Sequence, residues 1–329
     1  MIIENEHLSA VIDLHGAELT SLKKQGSDEE LIWTADKEYW GRHAPMLFPI
    51  VGKVWNGEYR VGDKTYSLPQ HGFARDRDFK VLCHDKESVV LCLESDEQSL
   101  QVYPYPFRLE ATYRLEDNTL VVEWRIKNPG KDALYFQIGA HPGFNYKDFC
   151  KDDFIHGYFR LTSGEEPVSQ LVIGKLTPEG YRSDSAGMME LDSDAMLPIT
   201  PSLFANDALV LEEHQIDQVI LYDKDCNPYI AVETQDAPVW GLWSPPGKNA
   251  PFVCIGLGWA GVIMRGMMGI SRGGIILISW RLERVRRSVI EFLLFEITIR
   301  LISRAFGARS FLTFLASPQK SLDGILSAY

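Results

Sequence analysis

Alternation of apolar and polar residues with a period of two runs through most of this chain. Phe107, Leu109, Ala111, Tyr113 and Leu115 are separated by charged or polar residues. Glu116-Asp117-Asn118 then turns the chain, and Leu120, Val122, Trp124 and Ile126 alternate on the return. Two such runs around a short turn predict an antiparallel pair with one buried face. Residues 8 to 23 alternate more loosely, with Leu8, Ala10, Ile12 and Leu14 on one side, then Leu19 and Leu22 after Gly16, which predicts strands around a turn. Glu58 to Tyr66 reads as a hairpin turning at Gly62-Asp63, and Ser88 to Leu93 as a further strand. Val219 to Tyr222 and Tyr229 to Val232, separated by Asp223 to Pro228, form another hairpin. Long helical periodicity is nearly absent through residue 255. Many short strands with Gly, Pro, Asn and Asp turns indicate an all-β fold, a large antiparallel β-sandwich.

Candidate chemistry concentrates where strands break. Tyr135, Phe136 and Ile138 have strand character, and Gly139, Pro142 and Gly143 end the run with His141 at the break. A histidine on rigid backbone at a strand end is placed to exchange protons near neutral pH; the plainer reading is a satisfied loop histidine. A second histidine, His71, lies in Leu68-Pro69-Gln70-His71-Gly72-Phe73-Ala74-Arg75, downstream of Leu47-Phe48-Pro49-Ile50-Val51-Gly52-Lys53 and Asn56-Gly57-Glu58-Tyr59. With Ile138 to Asn145 and Leu242 to Ile255, these segments resemble the aldose 1-epimerase (mutarotase) family, in particular its LacX-like and hexose-6-phosphate epimerase branch. They stand in the family's order over residues 1 to 255. The resemblance implies the galactose mutarotase-type supersandwich.

It also implies a reaction and residues for it. Mutarotation opens a pyranose and closes it on the other face of C1. An acid protonates the ring oxygen while a base takes the C1 hydroxyl proton, and no metal or redox cofactor is needed. By resemblance, His141 matches the catalytic histidine, as general acid, and His71 the histidine that hydrogen-bonds the sugar or orients its ring oxygen. Arg75 binds a hydroxyl or a phosphate, or else pairs with a neighbouring acid such as Asp76. Lys53 stands where mutarotases usually carry a substrate-binding arginine, keeping the charge and losing the fork. Asp217 matches the sugar-binding aspartate or is a solvated turn residue. Gln137, Asn145, Trp243 and Ser244 are candidates to line the cleft, with a core position as the alternative for the tryptophan. The implied partner is a sugar or sugar phosphate. A metal site using His43, His71 and His141 lacks ligand-like spacing and an accompanying carboxylate pattern.

Charge and cysteine usage narrow the setting. The 329 residues are 45% apolar, enough for one large core or two domains, with a net charge of −12. An acidic chain argues against nucleic acid as a partner. Five scattered cysteines, none in a Cys-x-x-Cys pair, signal neither zinc nor a disulfide framework. No signal peptide and no run of 18 uncharged apolar residues is read, so the expected location is the cytoplasm, away from membranes.

The last part of the chain has different statistics. Before residue 256 there are 14 Lys and 9 Arg against 41 acidic residues, net −18; from Gly256 to Tyr329 there are 1 Lys and 9 Arg against 4, net +6. One explanation is a separate module, for which Leu282, Val285, Val289, Phe292 and Leu293 beside four arginines suggest an amphipathic helix. The favoured explanation is a frameshift near codons 256 to 259, making residues 256 to 329 the out-of-frame remainder of the 1–255 domain. In the resembling family Cys-Ile is followed by Glu-Pro-Trp, whereas here Ile255 is followed by Gly256-Leu257-Gly258-Trp259. The codons TAT GAT GGG GAT, for the family's Tyr-Asp-Gly-Asp, read one base late give Met-Met-Gly-Ile, which is Met267 to Ile270. TTC CTG GAG GCT GGA GAG, for Phe-Leu-Glu-Ala-Gly-Glu, gives Ser-Trp-Arg-Leu-Glu-Arg, which is Ser279 to Arg284. The family's base is the glutamate after Cys-Ile. Gly256 cannot replace it, so a sugar-binding protein without catalysis is the competing reading.

Overall fold

A computed structural model describes residues 1–164, 166–192, 194–234 and 237–259, together with the backbone of four strands at 278–280, 286–294, 297–301 and 303–304. Met267 to Ile270 and Arg281 to Val285 lie outside the described residues.

The long pair anticipated from alternation is present as Arg108–Glu116 and Thr119–Lys127, turning at Asp117 with φ +49°. Its register sets Leu120 opposite Leu115, Val122 opposite Tyr113, Trp124 opposite Ala111 and Ile126 opposite Leu109. The residues that alternate in sequence therefore face one another across the ladder, and all are buried. The opposite face is not uniformly wet. Glu110 is 8% exposed, held by Arg108 Nε at 2.7 Å and Lys127 Nζ at 3.0 Å, so its charge is paired where water is scarce.

Leu8–Ile12 pairs with Leu19–Lys24, Glu58–Val61 with Lys64–Ser67, and Gln218–Tyr222 with Pro228–Thr234, all antiparallel. Two large sheets result. One runs from Glu166–Pro167 through Tyr158–Ser163, Gln218–Tyr222 and Pro228–Thr234 to the long pair, ending at Ser88–Glu94 and Lys80–His84. The other runs Arg182–Glu190, Gln170–Leu176, Leu209–Leu211, Val239–Trp243, Phe252–Gly258, Gly139–Ala140, Met46–Leu47. One buried cluster joins them, including Phe48, Phe107, Trp124, Phe136, Phe159, Trp240 and Ile255. A single α-helix occurs among the described residues, Glu97–Val102, with Asp96 as its cap accepting from the Ser99 amide.

Two features depart from expectation. The hairpin Gln170–Leu176 with Arg182–Glu190 has no clean alternation, because only Leu171, with Ile173 and Met189 half-buried beside it, reaches the core, and most of Arg182–Glu190 is exposed. Arg286–Leu294 is extended, not helical, and pairs along Thr119–Lys127, with Leu120 opposite Phe292. A neighbouring strand offers that segment a ladder of backbone partners, which outweighs its weak helical spacing.

Trp124, 1% exposed between the sheets and edge-on to Trp259 at 5.8 Å, is the largest side chain of the long pair. Trp124→Ala is expected to lower unfolding stability by about 3–5 kcal/mol in urea titrations.

Candidate active site

The second sheet and the loops above it enclose a cleft of about 510 Å³, within the roughly 300–1,000 Å³ usual for small-ligand sites. Part of its floor is bare backbone, where Gly241 lies opposite Gly256 in adjacent strands; the Val51 side chain covers Gly258 next to it.

His71 stands on a turn with left-handed backbone, φ +65° at His71 and +70° at Gly72. A side chain at Gly72 would place Cβ 2.2 Å from the Phe48 carbonyl oxygen, so the close approach of the two runs requires glycine. The His71 amide donates to the Gly52 carbonyl at 2.7 Å, and the Gly52 amide donates back to His71 Nδ1 at 3.0 Å. With Nδ1 accepting, a neutral ring carries its proton on Nε2. Burial, and then the neighbouring His141 and cations, hold the His71 pKa well below its usual value.

His141 follows Gly139–Ala140, its amide bonded to the Pro45 carbonyl at 3.1 Å. Its ring is walled by Trp40 at 5.1 Å, Trp243 at 5.7 Å and His71 at 5.9 Å. Nδ1 is buried with no partner among the described residues. Burial lowers the His141 pKa to about 4, with a further push from the Arg75 charge. Both imidazoles are therefore neutral at neutral pH.

The sequence-derived candidates divide in two. His71, His141, Lys53, Arg75 and Trp243 all line the cleft. Three others do not, and each is occupied with backbone. Gln137 is buried and accepts from the Val51 amide at 2.8 Å, Asn145 donates to the carbonyls of Glu30 and Ile32 at 2.8 and 2.9 Å, and Asp217 accepts from the Gly164 amide at 2.7 Å. These side chains replace backbone partners that irregular segments cannot supply for themselves. Ser244 is likewise spent on the Phe252 carbonyl at 3.0 Å. Asp207, not Asp217, is the aspartate that reaches the cleft. It has φ +76° and precedes the strand Leu209–Leu211. Its sequence signal, Asn206-Asp207 before an apolar run, is that of any turn entering a strand.

Arg75 donates Nη2 to the Gln70 carbonyl at 2.6 Å, and its buried Nε lies 3.8 Å from Asp76 Oδ2 without a hydrogen bond among the described residues. Asp76 is held more closely by Arg42, at 2.7 Å. Burial and the Arg42 charge bring the Arg75 pKa down to about 10, so it remains a cation with unused capacity. Lys53 donates to the Glu179 carbonyl at 3.1 Å. A side chain at Gly256 would begin 3.7 Å from His141 Cδ2 and 3.3 Å from the carbonyl oxygens of Ala140 and Gly241. Among the described residues no three His, Cys, Asp or Glu side chains are grouped to hold a metal ion. His43 is turned to the Trp33 carbonyl, 2.7 Å from its Nδ1.

Two antiparallel sheets with a neutral histidine pair in a cation-rimmed cleft define a galactose mutarotase-like sandwich. The chain belongs to the aldose 1-epimerase family, whose sequence profile matches residues 1–255. It is 31% identical over 261 residues to the chromosomal LacX protein of Lactococcus lactis subsp. lactis, covering 77% of this chain and 85% of that protein. The plasmid LacX of the same organism matches over the same length at the same identity. Two solved structures are similar: a galactose mutarotase-like protein from Lactobacillus casei (28% identity, TM-score 0.81, 89% of this chain and 99% of that one) and a galactose mutarotase related enzyme from Lactobacillus acidophilus (32%, 0.78, 89% and 96%).

The histidine shifts fix a pH dependence. A histidine whose folded pKa is depressed stabilises the fold above its unfolded pKa of 6.5, and that contribution is lost as pH falls toward about 4. For His141 the loss is on the order of 3 kcal/mol. Urea unfolding of the wild type should therefore weaken more steeply across that window than unfolding of His141→Gln.

Proposed function

We propose that this chain is an isomerase of the aldose 1-epimerase type whose cleft takes a hexose or hexose phosphate. The observation that carries this is the pair His71 and His141, ring centres 5.9 Å apart over a floor that is partly bare backbone. His71 presents an Nε2–H donor to the sugar, and His141 is the group that gives a proton to the ring oxygen as the C1–O5 bond breaks. The C1 hydroxyl proton leaves to a base, the carbonyl rotates, and the reverse transfers close the ring on the other face. Trp40 and Trp243 offer aromatic faces to the sugar's C–H side. Asp207 is an acceptor for its hydroxyls, and Lys53 with Arg75 supplies the positive charge that a phosphate would meet. Five free thiols support a reducing, cytoplasmic setting.

Among the described residues, no carboxylate is among the groups that shift the His141 pKa. Position 256 looks at that imidazole and carries glycine. A carboxylate there would accept the C1 proton and, by its charge, raise the His141 pKa from about 4 toward the range where the ring can act as an acid. We read residues from Gly256 onward as the out-of-frame remainder of the domain. The family profile's match ends at Ile255, which supports this reading. The second reading, sugar binding without turnover, is favoured for the chain as it stands by the same Gly256.

Anomer exchange measured by NMR on D-glucose, D-galactose and D-glucose 6-phosphate tests both. Gly256→Glu, or the gene with its frame restored, should exchange anomers at least about 10²-fold faster than the chain as it stands. His141→Asn in the active background should abolish exchange and leave sugar binding largely intact. Turnover that survives His141→Asn rules out His141 as the acid. Equal rates with and without the Gly256→Glu change would mean that the base lies elsewhere.

A further inference from the structure

The hairpin formed by Gln170–Leu176 and Arg182–Glu190 projects from the edge of the second sheet. Its root is narrow. Ile173 and Gly174 pair with Leu211 and Val210, Arg182 reaches Glu212 at 2.7 Å, and Gln215 brackets the Val172 backbone at 2.7 and 2.9 Å. Arg182–Glu190 has no strand on its outer side among the described residues. Leu171, 1% exposed, anchors the near end in the core with Ile173 and Met189 against it, so it is the outer part of the arm that moves at little cost unless its tip is tied down.

The far end is tied down, and over the cleft. The tip closes as a tight turn, with the Thr177 amide donating to the Tyr181 carbonyl and the Gly180 amide to the Thr177 carbonyl, each at 2.8 Å. Pro178, Glu179 and Gly180 stand in the cleft wall. Tyr181 is buried at 9% exposure although Pro178 and Glu179 beside it are exposed. Its ring meets Trp55 at 4.8 Å and its hydroxyl accepts from the Asn56 amide at 3.1 Å. Lys53, from the same segment as Trp55 and Asn56, donates to the Glu179 carbonyl at 3.1 Å. Gly180 supplies the left-handed φ of +82° that this turn takes.

Lysine carries its charge on a long flexible stem and loses rotamer freedom whenever it is fixed on a ligand. Here the carbonyl of Glu179 fixes it beforehand, on the cleft side, using one of three N–H donors and leaving two. Tyr181 in turn fixes the carbonyl. We propose that the tip Thr177–Tyr181 is a positioning strap that holds the Lys53 ammonium in the cleft and so sets the preference for an anionic hexose over a neutral one. The proposal rests on the reading of Lys53 as a substrate-binding group.

Dissociation constants of D-glucose 6-phosphate and D-glucose for the full-length chain test it, compared among wild type, Lys53→Met, Tyr181→Phe and the double variant. The preference for the phosphorylated sugar should fall about tenfold in Lys53→Met and about threefold in Tyr181→Phe. The double variant should lose no more than Lys53→Met alone, because the strap acts through the lysine. Additive losses, or an unchanged preference in Tyr181→Phe, overturn the proposal. Amide exchange of the sugar-free protein gives a second reading that needs no ligand. Protection at Gly180 should drop several-fold in both single variants, and protection unchanged in either means that the latch is not built as described. Binding of both sugars with one constant ratio in every variant removes the strap and keeps the epimerase reading. No binding of either sugar to the wild type removes the substrate reading and this preference together.

Discussion

The cleft depends on one close contact between backbones. Gly72 lies so near the Phe48 carbonyl that no side chain fits, and the Phe73 and Ala74 amides both donate to that same oxygen, at 3.0 and 3.1 Å. The contact draws the 69–76 turn onto the 48–53 segment, where His71 and Gly52 exchange two hydrogen bonds. Gln137 extends the arrangement, its amide proton going to the Pro49 carbonyl and its side chain to the Val51 amide, both at 2.8 Å. The strand that carries His141 is thus fixed to the loop that carries His71 through that loop's own backbone. Main-chain hydrogen bonds hold the backbone of both histidines; the Gly52 amide also holds the His71 ring, while the His141 ring is packed against Trp40 and Trp243. This kind of preorganisation keeps catalytic groups from relaxing when the site is empty.

Much of this was legible in the sequence, for identifiable reasons. The long pair Arg108–Glu116 and Thr119–Lys127 was readable because one face is buried and the other mostly polar, which forces alternation. The strand break at Gly139 and Pro142 singled out His141, while His71, Lys53, Arg75 and Trp243 were readable through the resemblance of their segments to the aldose 1-epimerase family. Gln137, His141 and Asn145 stand four residues apart, which uninterrupted strand would put on one face; the chain instead breaks between Leu134–Phe136, Gly139–Ala140 and Gly143–Asn145, and how such breaks turn a side chain is invisible without coordinates. Asp217 and Asp207 were indistinguishable in the sequence, as turn aspartates near apolar runs. The fold separates them by giving Asp217 a backbone amide to accept from and Asp207 a place in the cleft wall. The 170–190 hairpin left almost no trace, since a hairpin that sends only Leu171 into the core is under little hydrophobic constraint.

Charge explains why glycine at 256 matters beyond the loss of one proton acceptor. Arg42, Lys53 and Arg75 all reach the cleft, and each lowers the His71 pKa, while Arg75 also lowers that of His141. Such a cleft is suited to receive an anion and unsuited to keep an imidazolium. Acid catalysis by His141 needs the opposite local field, negative within a few ångströms of the ring. A phosphate on the substrate would offset the cations, but on the side of Lys53 and Arg75. Position 256 is different, since a side chain there starts 3.7 Å from the His141 ring. A carboxylate at that point would hold the proton on the imidazole before the ring opens and take the hydroxyl proton as it does. On the proposed function, substrate affinity and proton transfer are therefore separable in this cleft: the cations at its rim would serve the first whatever stands at 256, and the second would wait on a negative charge beside His141.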